Sequence, residues 1–320
     1  MSHASGEFGK GSDSKASAVQ QSQQNNSNYA MIALFSILVV ISIWALFSAF
    51  ESPKKMEESK KKLESVTSAS VSNRKIIAPD FSKTGDGPEG ESIRRGKALL
   101  ENTHALLPKY VGAKINCTSC HLASGTTPQA GPWVGIVTKF PQYRSRSGKM
   151  DTLPDRVNDC FERSLNGKRL PLESRQMTDI ITYMTWLSNG YEVGAKIEGS
   201  GMPKLKIQRA PDMGNGKIVY QAKCASCHQA NGNGSYDAIG KKIIFPPLWG
   251  SDSYNIGAGM ARLHTAAGFV KHNMPLGQGG SLTDDEAWDV AAYFTQMKRP
   301  DFGSKAKDWP KGEKPEDARY

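Results

Sequence analysis

Long apolar runs are almost absent from this sequence. Mean hydropathy is -0.49 and 38% of residues are hydrophobic, which excludes a polytopic membrane protein and leaves a soluble body with polar connecting segments. Acidic residues are in deficit as well: 31 Asp and Glu face 41 Lys and Arg, for a net charge of +10, so anionic partners are expected. Nucleic acid is one such partner, but no helix-turn-helix, zinc-finger or RNA-binding signature occurs, and no nucleic-acid role is expected. Small anions and an acidic redox protein fit the charge equally. Cysteine is scarce, with five in 320 residues. A disulfide framework built from so few would leave two adjacent histidines without a purpose.

Those histidines matter because four of the five cysteines fall in two C-x-x-C-H sequences, Cys117-Thr118-Ser119-Cys120-His121 and Cys224-Ala225-Ser226-Cys227-His228. A zinc ribbon also pairs C-x-x-C units, but it has no need for histidine at the next position in both. The pattern is that of c-type haem attachment. Each pair of thiols adds to the two vinyl groups of one haem, and His121 or His228 lies beneath the iron as proximal ligand. Two covalently bound haem c groups are therefore expected. Buried haem also supplies apolar core that a domain of about 100 residues would otherwise lack.

The rest of the chain organises around these motifs. Residues 1–28 are polar, rich in Ser, Gln and Asn, and read as a disordered tail. Residues 29–50, from Tyr29 to Phe50, form an uncharged run of 22 residues. As a helix it spans about 33 Å, enough for a bilayer core. A retained transmembrane anchor is preferred over a cleaved signal peptide, whose apolar region is usually shorter. Orientation is in conflict: Lys54, Lys55 and Lys60 to Lys62 follow the run, so the positive-inside bias points the body to the cytoplasm. Haem attachment resembles a periplasmic process, and that argument is preferred, giving an inner-membrane anchor with periplasmic haem domains. Residues 51–88, rich in Lys, Glu and Ser, read as a linker.

A two-fold internal repeat follows. Gly96-Lys97-Ala98-Leu99, the first haem motif, Pro132-Trp133-Val134-Gly135 and a helical pattern at Met177–Leu187 make one copy. Gly216-Lys217-Ile218-Val219, the second motif, Pro246-Pro247-Leu248-Trp249-Gly250 and a helical pattern at Trp288–Met297 make the other. The order resembles the cytochrome c fold. The expected fold is all-α, with a first cytochrome c domain over 89–200 and a second over 201–300. The stretch 188–212 serves as connector, and 301–320 is a charged C-terminal tail.

The position opposite each proximal histidine separates a carrier from an enzyme. In the second domain Asn273-Met274-Pro275 resembles the distal-ligand loop of small cytochromes c, and the Met274 thioether would raise the haem potential. Lys271 and His272 are rival ligands. The first domain has no Met-Pro at the matching place and offers Cys160 instead, with Met150 and Met177 as competitors. A free cysteine is often only a small buried hydrophobe. In an oxidising compartment, though, a lone thiol is a liability unless something holds it, and neighbouring Arg156 and Arg163 would favour the thiolate. Ser164 shares a face with Cys160 if the stretch is helical. Residues 139–169 carry eight Lys and Arg against four Asp and Glu, and arginine suits oxyanion binding through paired hydrogen bonds.

The sequences Asn158-Asp159-Cys160-Phe161-Glu162-Arg163-Ser164-Leu165-Asn166-Gly167 and F-P-x-Y-x-x-R-x-G at Phe140–Gly148 resemble the dihaem thiosulfate dehydrogenases. The resemblance covers roughly residues 90–300. It implies Cys160 as distal ligand of a catalytic first haem (His121 and Cys160), Ser164 and Arg146 at the substrate site, and a relay haem held here by His228 and Met274. It implies oxidative coupling of two thiosulfate ions to tetrathionate, or the reverse reduction, with a soluble cytochrome or a membrane oxidase as electron acceptor. Family members are commonly soluble, so the N-terminal anchor is a departure. A non-catalytic dihaem shuttle would instead carry Met opposite both haems, and a dihaem peroxidase would need an open iron position.

Overall fold

The computed structural model describes residues 31–45, 55–62, 74–239 and 242–320. Chain contacts divide it into two units, Met1–Ser70 and Val71–Tyr320. In the first unit, residues 31–45 and 55–62 are helical and exposed. The ends of the expected 29–50 anchor, and the expected tail over 1–28, lie outside the described residues. Among the described residues no helix is long and apolar enough to cross a membrane.

The second unit holds two similar halves. In the first, α1 (Pro88–Glu101) begins with proline in its opening turn, where a missing N–H costs nothing, and has Glu89 and Glu91 at its positive end. Next come α2 (Leu153–Glu162) and α3 (Arg175–Trp186). In the second half, α4 (Met213–Lys223) is capped by Asp212, which accepts from the Gly214 and Asn215 N–H groups. After it come α5 (Leu263–Asn273) and α6 (Asp284–Gln296), the latter opened by a reciprocal Thr283/Glu286 capping box. Helix α1 packs on α3, and α4 and α5 pack on α6.

The internal repeat extends into the chemistry of these crossings. Gly96 of α1 sits so close to α3 that a Cβ there would lie 2.0 Å from the Asp179 carbonyl oxygen; Gly216 of α4 is the same, at 2.1 Å from the Asp289 carbonyl. Each acid is also a buried anchor. Asp179 accepts from Arg95 Nε at 2.9 Å and from Ser92 at 2.7 Å, while Asp289 accepts from Arg209 and Asn215 at 2.8 Å. Gly96→Ala and Gly216→Ala should therefore each force a crossing apart and cost at least about 2 kcal/mol. Thermal unfolding of the holoprotein followed by circular dichroism would check this, and an unchanged midpoint would contradict it.

The structure adds three features to these expectations. The fold is mainly helical but not purely so. Gln142–Arg144 pairs antiparallel with Lys149–Asp151, and Ser235–Tyr236 with Ile243–Phe245. These two- and three-residue strands are too short to show an alternating pattern. The linker read over 51–88 is docked in its last part: Arg74 N–H donates to the Lys196 carbonyl at 2.9 Å, and Phe81 meets Trp186 edge-on. The charged tail over 301–320 is likewise packed, with Phe302 and Trp309 only 6% and 8% exposed. Its Lys and Glu residues masked three aromatics (Phe302, Trp309 and Tyr320) that serve as anchors.

Candidate active site

Both C-x-x-C-H motifs fold as tight turns beside an early helix. Cys117–Ser119 makes one turn of 3-10 helix, closed by reciprocal bonding between Asn116 and Ser119. Ala225–His228 makes a single helical turn after α4. In each, the proximal histidine is oriented by a backbone carbonyl: His121 Nδ1 lies 2.5 Å from the Gly131 oxygen, and His228 Nδ1 lies 2.8 Å from the Pro246 oxygen. A carbonyl can only accept, so Nδ1 must carry the proton, which leaves the Nε2 lone pair for a metal. Burial holds His228 below the usual imidazole value, which favours the neutral, ligating form. Gly131 has φ of +63°, and a Cβ there would press on the His121 ring at 3.1 Å, so glycine is needed at that turn.

Each motif is followed by a glycine under a tryptophan. A Cβ on Gly125 would fall 2.0 Å from the Trp133 ring, and one on Gly232 would fall 2.2 Å from Trp249. Trp133 in turn lies 4.9 Å from the His121 ring. Beside the second motif is a cavity of about 260 Å³, lined by Cys224, Cys227, His228, Phe269, Met260 and Met274 among others. Two thiols, an imidazole with its Nε2 free and an apolar wall with thioethers are the donor set that haem c requires. Thr118, Ser119 and Cys120 of the first motif complete the wall, so the two motifs border one another.

Of the three candidates opposite His228, the structure brings only Met274 into this cavity. Lys271 Nζ donates to the Leu282 carbonyl at 2.7 Å and pairs with Asp284 at 2.9 Å, and His272 is exposed. Met260 lines the same cavity from the turn Gly259–Ala261. It went unnoticed in the sequence because no proline or loop signal marks it.

Helix α2 delivers Cys160. A Thr152/Asp155 capping box and an early proline start this helix, and Val157 and Phe161 bury its inner face. One turn before the cysteine, Arg156 Nη1 donates to Cys160 Sγ at 2.8 Å, and the His121 ring faces the same sulfur. Burial pushes this thiol up, but Arg156 and His121 outweigh it and bring the group down to about 7. By contrast, burial alone dominates at Cys117 and Cys120, whose thiols stand at about 12. The same fold thus builds an apolar seat for the attachment cysteines and a cationic one for Cys160. The competing methionines are elsewhere: Met150 is 58% exposed on its strand and Met177 is 1% exposed in the core.

Ser164 lies beyond the end of α2, so the helical-face relation to Cys160 does not apply. The helix stops at Glu162, Leu165 N–H closes onto the Cys160 carbonyl at 2.9 Å, and Asn166 adopts a left-handed conformation. Gly167 then turns so tightly that a Cβ would lie 1.9 Å from the Tyr110 carbonyl. Arg144 and Arg156 act on one another and on Cys160. Arg146 is placed differently. It donates to the Gly257 carbonyl, stacks over Trp309 at 4.9 Å and pairs with Asp308 at 3.6 Å. Burial, followed by the nearby Arg163, lowers Arg146 to about 10. Neither Asp308 nor Trp309 was a candidate from sequence.

Comparisons with known proteins identify the two domains. The profile described as SoxA/TsdA, cytochrome c domain matches residues 108–193, and the cytochrome c profile matches residues 213–298. Thiosulfate dehydrogenase of Allochromatium vinosum is 49% identical over 71% of this chain and 85% of its own length. That of Psychrobacter arcticus is 46% identical over 76% of this chain and 74% of its own. The structure of thiosulfate dehydrogenase (TsdBA) from Marichromatium purpuratum, in its as-isolated form, superimposes with a TM-score of 0.66 at 34% identity. That match covers 73% of this chain and 50% of the other, so this chain spans half the length of that protein. Two cytochrome c domains with intact attachment motifs carry two covalently bound haem c groups. The chain belongs to the dihaem thiosulfate dehydrogenase family.

Proposed function

We propose that this protein is a thiosulfate dehydrogenase that couples two thiosulfate ions to tetrathionate beside Cys160 and passes the electrons on through a second centre at His228 and Met274. The observation that carries this reading is the Cys160 sulfur, which accepts from Arg156 at 2.8 Å on one side and faces His121 on the other. Arg156 shifts a cysteine in that seat toward the thiolate, the form that binds iron and attacks sulfur. The relatives' names point to the same substrate.

Haem, when bound at each motif, supplies a one-electron acceptor. The chain's own part is to gather anions and keep a sulfur nucleophile ready. Arg144, Arg146, Arg156 and Arg163 neutralise the charge of thiosulfate approaching Cys160. Formation of an S–S bond between the Cys160 thiolate and the sulfane sulfur of one thiosulfate releases two electrons. A second thiosulfate then attacks that sulfane sulfur and displaces the thiolate, giving tetrathionate. No proton is gained or lost, and the cysteine is regenerated. The same steps in reverse would reduce tetrathionate.

Lys223 lines the second cavity with the exposed Ile244 and Leu276, and the exposed Lys242 directly precedes the lining residues Ile243 and Ile244. A basic, partly apolar rim of this kind suits an acidic electron acceptor, either a soluble cytochrome or a membrane oxidase. The uncharged run at 29–50 supports a membrane anchor, and c-type haem attachment supports the periplasm as the side of the haem domains. Its described part, 31–45, is helical and presents exposed Leu38, Ile41 and Trp44.

The purified holoprotein should reduce ferricyanide when thiosulfate is added and should release tetrathionate in a 1:2 ratio to thiosulfate consumed. Absence of tetrathionate, or turnover of peroxide in its place, would sink this reading.

A further inference from the structure

The buried carboxylate of Asp308 lies far along the chain from the arginine segment, yet it organises that segment. Its side chain is 3% exposed and makes three polar contacts: Arg163 Nη2 at 2.7 Å, Arg146 Nη1 at 3.6 Å and the Tyr320 hydroxyl, which donates at 2.5 Å. The neighbouring residues grip the same two arginines. Trp309 N–H donates to the Arg146 carbonyl at 2.8 Å, and the Trp309 ring lies under the Arg146 guanidinium at 4.9 Å. Phe302 lies under the Arg163 guanidinium at 4.6 Å. Arg163 also reaches back one turn to Asp159 at 2.8 Å, the residue next to Cys160.

Two buried guanidiniums that face one another repel, and the repulsion is strongest where water is excluded. Asp159 pairs with Arg163 at 2.8 Å and does not reach Arg146. For Arg146, Asp308 is the single carboxylate within ion-pair distance among the described residues. Without a shared anion the pair would splay toward solvent. With it, both forks are fixed. Arg146 Nη1 also serves the Gly257 carbonyl and Arg163 Nη1 serves Asp159, which leaves Arg146 Nε and Nη2 and the buried, unpartnered Arg163 Nε for an oxyanion.

We propose that Asp308 is a positioning residue, which holds Arg146 and Arg163 together as one anion-binding pair on the approach to Cys160. The segment 302–320, which follows the second haem domain, thus completes the substrate site of the first. The substrate class is a small divalent oxyanion with a sulfonate-like end. This assignment rests on the thiosulfate reading for its kinetic consequence but not for its binding consequence.

The test uses the holoprotein with both haems attached and the variants Asp308→Asn, Asp308→Glu and Tyr320→Phe. Sulfate, a non-reacting dianion, is titrated into the oxidised protein by calorimetry, and thiosulfate kinetics are run in parallel. A misplaced fork should weaken sulfate binding by about 10-fold in Asp308→Asn and raise KM for thiosulfate similarly, with kcat held within about 3-fold. Asp308→Glu should recover part of the loss, because the charge is kept. Tyr320→Phe should move KM in the same direction by a smaller factor, and it serves as the readout should Asp308→Asn fail to retain its haems. If Asp308 only tempers positive charge, its removal would tighten sulfate binding and lower KM, and either that result or no change overturns the proposal. A wild-type protein that binds sulfate but does not oxidise thiosulfate would refute the activity and leave the binding arm to decide on Asp308.

Discussion

Cys160→Ala is expected to lower thiosulfate-dependent reduction by about 10³-fold or more while both haems stay covalently attached. The two halves of that expectation rest on different residues. Attachment needs Cys117, Cys120, Cys224 and Cys227, and the orientation of His121 and His228 comes from the Gly131 and Pro246 carbonyls. None of these contacts passes through Cys160. Chemistry, on the other hand, loses both the sulfur nucleophile and the acceptor of the Arg156 hydrogen bond. Arg156 would be left with Asp159 as its nearest anionic influence, and a partly buried guanidinium without its partner is costly, so some loss of stability should accompany the loss of rate. Cys160→Ser is the useful companion. It keeps an acceptor for Arg156 and should restore stability without restoring turnover. The measurement is ferricyanide reduction with thiosulfate, beside haem content and the optical spectrum of the oxidised protein. A variant with an altered spectrum but normal turnover would make Cys160 an iron ligand with no part in catalysis.

Much of this site was legible in the sequence because covalent chemistry leaves a fixed local pattern. C-x-x-C-H needs no folding argument, and the paired glycine, tryptophan and closing-helix signals of the two halves gave the repeat. The structure adds that the repeat reaches the helix crossings, where Gly96 meets Asp179 and Gly216 meets Asp289. Cys160 was legible by its isolation, as the one cysteine outside a motif. What sequence could not give was tertiary partnership. Arg144, Arg146, Arg156 and Arg163 read as one basic run, but the fold divides them. Arg144 and Arg156 attend Cys160, while Arg146 and Arg163 share Asp308. That division depends on a carboxylate more than a hundred positions away, inside a stretch whose composition is that of a solvated tail. The shared helical face of Ser164 and Cys160 required the helix to run through position 164, and that condition is not met for a local reason. Helix α2 ends at Glu162, where Asn166 and Gly167 turn the chain.

Met274→Ala should leave thiosulfate able to reduce the first centre in a single turnover but slow steady-state electron export. A thioether stabilises ferrous iron, so its loss lowers the potential of the second haem, here expected on the order of 0.1 V within the wide range that axial ligands command. At 59 mV per decade for one electron, that makes transfer from the first centre about 50-fold less favourable. The sign matters: a second haem of lower potential accepts electrons less readily, so electrons stall upstream. The alternative donor must be tested in the same experiment, because Met260 lines the same cavity. Met260→Ala should leave the potential in place, since that residue sits in the turn Gly259–Ala261 and packs against the apolar cores of both halves. Its loss should register as a packing defect of about 2–3 kcal/mol. Redox titration of the two variants separates these roles. If Met260→Ala lowers the potential and Met274→Ala does not, the thioether that sets electron export comes from the turn before α5 and not from the Asn273-Met274-Pro275 loop.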